Sequence, residues 1–569
     1  MMERTDCPSF QSQIAMDPTA DLDSAACNSR KLLQDLATFK KNFPSMQHVF
    51  STGNGPLQDH LEVPSSSAAA EAMLTEPPML SDADHCTNIT AARAQLKDKE
   101  KALDLIRQIL QNQNILIDGG VIQRTALKST MDGLKTAEAA LAEATKRVTA
   151  SQPDEIKELP GLNFPLNFKQ YSGYLDATEG RYLHYWFVES QRSPSTDPVI
   201  LWLSGGPGCS SLEALLDELG PFSISADGKS LHNNSYSWNR VANLLFLEAP
   251  AGVGFSYADN GNYSTDDDSV SNDNYIALQN FFEKFPEFNK NDFYIAGQSY
   301  AGIYVPTLSV RVLTGCAEIN FKGFAIGNGF LDDKLLPNTL VFFAYYHGLL
   351  GPELWQSLAQ KCCGGHASQE TCNFVGNVSQ DCKNAVHEVN YIVYGSGLNI
   401  YNLYADCVGS DDNSKYLIDI QNGVLPEALK NTTSIQLPCV DSSNLIKYLN
   451  QPAVRQALHI PSHVQDWGIC SVGVLLGYKR IYNTMRPQIL QLIGSGKLRG
   501  LIYNGDVDMA CNFLGDELFA DNLGLEVTKE RTPWKFNKQT VGFVQSYDKL
   551  TFLTVKGAGH MRKSIKVLS

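Results

Sequence analysis

No stretch of this chain stays apolar for the roughly 18 residues that a membrane-spanning helix needs, so no membrane span is expected. Positive charge is also short: 46 Lys and Arg face 61 Asp and Glu, for a formal net charge of -15. An acidic chain gains little from a phosphate backbone, which argues against nucleic acid as a partner. Paired C-x2-C ligands are missing, and no histidine pair accompanies the crowded cysteines, so a zinc site is not expected. The G-D-x-D at 505–508 is not followed by EF-hand spacing, which discounts calcium. The opening MMERTDCPSFQSQIAMDPTADLD lacks the basic start and apolar core of a secretory signal.

Apolar residues, by contrast, make up 43% of the 569 residues, enough for a large core in a chain too long for one ordinary domain. Of 13 cysteines, Cys362, Cys363, Cys372, Cys382, Cys407 and Cys439 crowd one stretch. A disulfide-stapled insertion fits that crowding and implies an oxidising compartment. Asn233, Asn262, Asn377 and Asn431 each open an N-x-S/T sequon, which agrees. Residues 1–88 are rich in Ser, Pro, Asp and Ala and predict a disordered extension. Over 89–152 the sevenfold recurrences Leu96-Leu103-Leu110 and Leu127-Leu134-Leu141-Val148 predict a helical hairpin or short coiled coil. A separate, larger domain is expected over 153–569.

In that domain the texture alternates. FKQYSGYLDATEGRYLHYWFVES reads as two alternating strands around a turn. PVILWL, NLLFLEA, DFYIAG, FKGFAIGNG, LRGLIYNGD and LTFLTVKGAGH each read as a buried strand running into a glycine-rich loop. Buried strands separated by helices predict an α/β fold with a mostly parallel sheet, with chemistry at the carboxyl ends of its strands. Three of those ends carry reactive groups. Gly297-Gln298-Ser299-Tyr300-Ala301 is nearly the G-x-S-x-G nucleophile elbow, with Ala301 in place of the second glycine. Asp506-Val507-Asp508 follows the second strand and Gly559-His560 the third, in the order Ser, Asp, His that this fold uses. A glycine loop, Ser204-Gly205-Gly206-Pro207-Gly208, follows PVILWL and would let backbone N–H groups approach an oxyanion.

WLSGGPGCSSL, LEAPAGVGFSY, IAGQSYAGIYVPTL, AIGNG, YYHGLLG, YNLYADC, YNGDVDMACNFLGDE and KGAGHM together resemble the serine carboxypeptidases over about residues 155–561. The resemblance implies an α/β-hydrolase fold with a disulfide-rich cap over about 331–440. It implies Ser299 as nucleophile, His560 as base and Asp508, rather than Asp506, as its support. Gly206 and Tyr300 would supply the oxyanion N–H groups, and Ser204, Glu218 and Gln298 would face the substrate's terminal carboxylate. It implies the disulfides Cys209–Cys470, Cys362–Cys382, Cys363–Cys372 and Cys407–Cys439, with Cys511 a free thiol beside the site; Cys316 has no counterpart and is expected free. No metal or organic cofactor is implied. Peptides are the implied substrates, and homo-oligomers and lysosomal glycosidases the implied partners, in a lysosomal or secreted setting. The scaffold also admits an esterase or acyltransferase, or a catalytically weak protective or scaffolding protein.

The sequence departs from the family at particular points. Ser204 stands for the family's Asn and Gln298 for its Glu, while Glu218 is kept. A glutamine donates a hydrogen bond at any pH, whereas a carboxyl group must be protonated to do so. Peptidase activity extending to less acidic pH is therefore expected, and the shorter Ser204 predicts a weaker preference for free acids over C-terminal amides. The stretch between Cys407 and Cys439 is shorter than in animal members, which puts precursor cleavage there in doubt. After Met561 the family runs on into a long helix; here Arg562 to Ser569 follow, and exposed sheet surface and a looser His560 loop are expected.

Overall fold

The computed structural model describes residues 154–561 apart from 370, 377 and 409–431. The N-terminal extension, the helical pair over 89–152, the sequons at Asn377 and Asn431 and the segment after Met561 lie outside these residues.

Eleven strands form one sheet. They are β1 (Gln170–Asp176), β2 (Arg181–Val188), β3 (Val199–Leu203), β4 (Asn243–Leu247), β5 (Tyr257–Ala258), β6 (Phe293–Ser299), β7 (Phe321–Gly329), β8 (Arg499–Gly505), β9 (Val527–Phe536), β10 (Gln539–Tyr547) and β11 (Leu550–Val555). The order is β1-β2-β4-β3-β6-β7-β8-β11-β10-β9, with β5 paired to β2. From β4 to β11 the pairs are parallel. Antiparallel pairs, β1-β2 on one side and β10-β9 on the other, close the two flanks. All six buried strands expected from the sequence are present.

Two cores explain why those strands are apolar along their length. Leu183, Tyr185, Phe187, Leu201 and Leu203 point to one core, together with α1 (Asp267–Lys284), α2 (Ala301–Thr314) and α6 (Arg486–Gly494). Trp186, Val188, Trp202, Leu244 and Phe246 point to the other, beneath Leu212–Leu219 and Leu445–Leu449. The alternating pattern expected for β2 is thus absent: its last six residues are all buried, because the strand is covered on both faces. The hairpin β9-β10 was not anticipated; VTKERTPWKF is almost wholly exposed and carries too few apolar residues to read as a strand.

A third cluster gathers α3 (Leu335–Tyr346), α4 (Pro352–Cys362) and α5 (Gln380–Asn390) against Val507 and Met509. Disulfides Cys362–Cys382 and Cys363–Cys372 staple it, and Cys407–Cys439 and Cys209–Cys470 complete the four implied bridges. One expectation fails: Cys316 is disulfide-bonded, not free. Its position just past α2, in a surface turn, leaves the thiol within reach of a partner that spacing alone does not reveal.

Candidate active site

The parallel strands bring the reactive residues to one edge of the sheet. β6 ends at Ser299, whose φ of 62° is in the left-handed region, and α2 begins at Ala301. A non-glycine residue holds that conformation only under local constraint. The constraint is visible: a Cβ on Gly297 would stand 2.5 Å from the Leu203 carbonyl oxygen and 2.7 Å from the Ala301 methyl. Small residues at both positions are therefore a steric requirement, and Ala301 meets it. The Ser299 carbonyl accepts from Phe330 N–H at 2.9 Å, and its hydroxyl lies at hydrogen-bonding reach of the buried Cys511 thiol.

Asp508 and His560 arrive from the loops after β8 and β11. His560 Nδ1 and Asp508 Oδ2 are 2.7 Å apart, with Asp508 fully buried. The carboxylate also accepts from Asn328 Nδ2 (2.8 Å), Ala510 N–H (2.9 Å) and Cys511 N–H (3.2 Å). His560 N–H donates to the Tyr401 carbonyl at 2.7 Å, and the two rings lie 5.1 Å apart. The segment carrying Tyr401 also binds the 507–510 loop through Leu403 N–H to Val507 O and Met509 N–H to Ile400 O. Asp506 turns elsewhere and accepts from Gly557 N–H at 2.6 Å. Among the described residues no hydrogen bond joins Ser299 to His560. Such bonds are often long before substrate enters and tighten afterwards.

The electrostatics follow from burial and neighbours. Burial alone would pull the His560 imidazole down, but Asp508, then Glu218 and Asp516, outweigh it and hold its pKa above 6.5. Asp516, on α7 (Phe513–Asp521), is pushed up to about 7, chiefly by burial. Burial, with Asp508 and Asp516, likewise drives the Cys511 thiol well above its ordinary value, so it is a poor thiolate source.

The glycine loop lies directly on the elbow. A Cβ on Gly205 would stand 2.3 Å from Tyr300 N, so only glycine permits this approach. The N–H groups of Gly206 and Tyr300 therefore come from adjoining backbone segments, and Gly206 is exposed to the site. Of the three residues expected at the substrate carboxylate, Gln298 and Glu218 meet: Gln298 Nε2 donates to Glu218 Oε1 at 3.1 Å. Ser204 is engaged separately, its hydroxyl accepting from the Trp202 indole N–H at 3.3 Å.

Sequence reasoning missed three supports. Asn328, with φ of 45°, binds Asp508 through its amide N–H and accepts from Gly505 N–H at 3.3 Å. Asp516 accepts from Gly329 N–H (3.0 Å) and Asn504 Nδ2 (2.9 Å). Asp267 accepts from the Tyr300 hydroxyl (2.8 Å), the Tyr478 hydroxyl (2.7 Å), and the N–H groups of Ile481 (2.7 Å) and Tyr482 (3.1 Å). The AIGNG motif was a signal for the first and YNGDVDMACNFLGDE, which contains Asp516, for the second; nothing in the sequence marks Asp267. Among the described residues no cluster of three or more His, Cys, Asp or Glu could hold a metal ion, and no helix is long and apolar enough to cross a membrane.

Comparison with known proteins agrees with this arrangement. The serine carboxypeptidase family profile matches residues 160–566. The chain is 47% identical over 440 residues to the mouse (Mus musculus) lysosomal protective protein, covering 74% of this chain and 92% of that one. It is 42% identical to the Caenorhabditis elegans serine carboxypeptidase ctsa-4.1, over 73% of this chain and 90% of that protein. Among solved structures, the prohormone-processing carboxypeptidase Kex1 of Saccharomyces cerevisiae superposes with a TM-score of 0.57 at 25% identity, covering 73% of this chain and 93% of that one. With its elbow, its buried Asp–His pair and a match across most of its length, this chain belongs to the serine carboxypeptidase family.

Proposed function

We propose that the chain releases C-terminal residues from peptides through an acyl-enzyme built on Ser299, with His560 and Asp508 completing the triad. The observation that carries the reading is the buried His560–Asp508 pair (2.7 Å) at the same sheet edge as the strained elbow of Ser299. Ser299 Oγ attacks the scissile carbonyl carbon and passes its proton to His560 Nε2. The N–H groups of Gly206 and Tyr300 hold the oxyanion, and His560 returns the proton to the departing amine. Water then attacks the ester, with His560 as base again, and the peptide acid leaves. Asp508 keeps Nδ1 protonated and offsets the imidazolium charge. Gln298, Ser204 and Glu218 receive the terminal carboxylate, and the helices α3–α5 act as the cap. A lysosomal or secreted setting, homo-oligomers and lysosomal glycosidase partners are proposed from the family resemblance.

Fluorophosphonate labelling tests the reading. The full chain is expected to label, and Ser299→Ala to lose the label; a folded chain that does not react would overturn it. A second reading, esterase or acyltransferase action on the same scaffold, draws support from Ser204, which is shorter than the Asn the family carries there. On one peptide, the rate ratio of free acid to C-terminal amide is expected to be modest, and Ser204→Asn to raise it about threefold. A very large ratio in the unaltered chain would remove this second reading.

A further inference from the structure

Beside the candidate nucleophile stands a cation that the mechanism above does not use. Arg480 is exposed, and its guanidinium lies 5.1 Å from the centre of the Tyr300 ring and 5.3 Å from that of Phe330. These two residues flank Ser299: Tyr300 follows it in the chain, and Phe330 N–H donates to its carbonyl at 2.9 Å. Their rings are stacked, with centroids 5.9 Å apart and planes 28° from parallel.

Contact with two rings holds the planar guanidinium in place, so little further side-chain entropy is lost when its N–H groups bind an anion. Acids outnumber bases 61 to 46 in this chain, yet among the described residues no carboxylate forms an ion pair with Arg480. Asp267, the buried acid tied to Tyr300, is already occupied by the hydroxyls of Tyr300 and Tyr478 and the N–H groups of Ile481 and Tyr482. The terminal-carboxylate residues belong to a separate set of contacts, Gln298 with Glu218 and Ser204 with Trp202. Arg480 is therefore free to meet a different part of the peptide.

We propose that Arg480, steadied on Tyr300 and Phe330, forms an acyl-side subsite that selects peptides with Asp or Glu immediately before the scissile bond. This rests on the carboxypeptidase reading above. Phe330 and the apolar stem of Arg480 accept an uncharged side chain too, so the selection is a matter of degree set by charge. A planar guanidinium also suits the two oxygens of a carboxylate better than a single amide oxygen, which separates Glu from its isostere Gln.

The test uses the full chain, with rates normalised to fluorophosphonate-titrated sites. Peptides identical except for Glu, Gln or Lys at the penultimate position are compared by kcat/KM. Glu is expected to exceed Gln about fivefold at pH 6, and Lys to be the poorest. The Glu advantage should fade below pH ~4, as the substrate carboxyl is protonated. Arg480→Gln should abolish the Glu-over-Gln ratio, and Arg480→Glu should place Lys first. An unchanged ranking in both variants refutes the subsite while leaving the peptidase intact. If instead the ranking changes only when the charged residue is C-terminal, the acyl-side assignment is wrong. A chain that neither labels nor hydrolyses overturns the carboxypeptidase reading and the subsite with it.

Discussion

Ser172, His184 and Glu248 form a hydrogen-bonded series as close as that of Asp508 and His560. Ser172 Oγ is 2.8 Å from His184 Nε2, and His184 Nδ1 is 2.9 Å from Glu248 Oε2. The surroundings differ in every respect that matters to chemistry. All three residues are fully buried, on or beside β1, β2 and β4, whereas Ser299 is partly open to solvent. The Ser172 hydroxyl donates to the Leu458 carbonyl at 2.9 Å, so toward His184 it acts as an acceptor, the reverse of a nucleophile's role. Glu248 also accepts from the Ser210 hydroxyl, the Trp467 indole (2.9 Å) and Phe255 N–H (2.9 Å). Among the described residues no glycine loop brings free N–H groups to Ser172. A serine, a histidine and a carboxylate in series thus serve in one place to tie strands to a loop. In the other, backbone strain, access and oxyanion donors are what the same three groups need to become reactive.

Paired substitutions can break that comparison. The largest effect is expected from the serines. Ser299→Ala should lower kcat by about 10⁴-fold or more with little change in melting temperature. Ser172→Ala should leave the titrated rate within about threefold but cost about 1–3 kcal/mol in urea unfolding. The acids come next. Asp508→Asn should reduce kcat about 10⁴-fold through the wrong imidazole tautomer, while Glu248→Gln should destabilise the chain by about 3 kcal/mol, since an amide cannot accept from four donors. If Glu248→Gln instead abolishes labelling in a fully folded protein, the division between the two triplets is wrong.

Two smaller effects sharpen it through pH. Asp516 is a buried acid near the reactive pair, and its pKa is raised from 3.8 to about 7. Because the folded state holds the proton more tightly, its contribution is full below about pH 4 and is lost as pH rises toward about 7. Stability should therefore fall over that window, and Asp516→Asn should flatten the fall by up to a few kcal/mol; urea midpoints at successive pH values read this directly. Gln298 acts on substrate instead. His560 must be neutral to accept a proton, and its pKa is raised, so kcat/KM should climb as pH rises through that value. Gln298 lets the climb continue, and Gln298→Glu should cost about tenfold in kcat/KM between pH 5 and pH 7. A parallel profile for both forms would mean that Gln298 does not meet the substrate carboxylate.

How much of this could be read beforehand depended on whether the signal was local. The six parallel strands were legible because each is a short apolar run ending in glycine, and the elbow because sterics at Gly297 and Ala301 restrict the sequence itself. His560 and the Asp506-Val507-Asp508 turn could be placed by order along the chain, while the choice of Asp508 over Asp506 came from the family resemblance. The roles of the supports were not legible, although Asn328 and Asp516 lie in the AIGNG and YNGDVDMACNFLGDE motifs. Asn328, Asp516 and Asp267 gain their meaning only when loops distant in sequence converge, and a lone Asp in a helix's first turn usually serves the helix dipole. The first strand of the hairpin β9-β10 was invisible because nearly all of its residues face water. The expected freedom of Cys316 failed for a related reason, since its pairing depends on distance in space.

The bridge between Cys209 and Cys470 spans 261 residues and secures the glycine loop to the segment that follows Ile469. Cysteines 316, 362, 363, 372, 382, 407 and 439 all lie between its two ends. At a synthesis rate of about 5–20 residues per second, Cys209 waits on the order of tens of seconds for its partner while those seven emerge. Vectorial oxidation would favour the wrong bond, and short pairs such as Cys363 with Cys372 close first. Cys209 can therefore form its native bond only after Cys470 has emerged, and any earlier pairing of Cys209 has to be undone by thiol–disulfide exchange before the glycine loop is anchored.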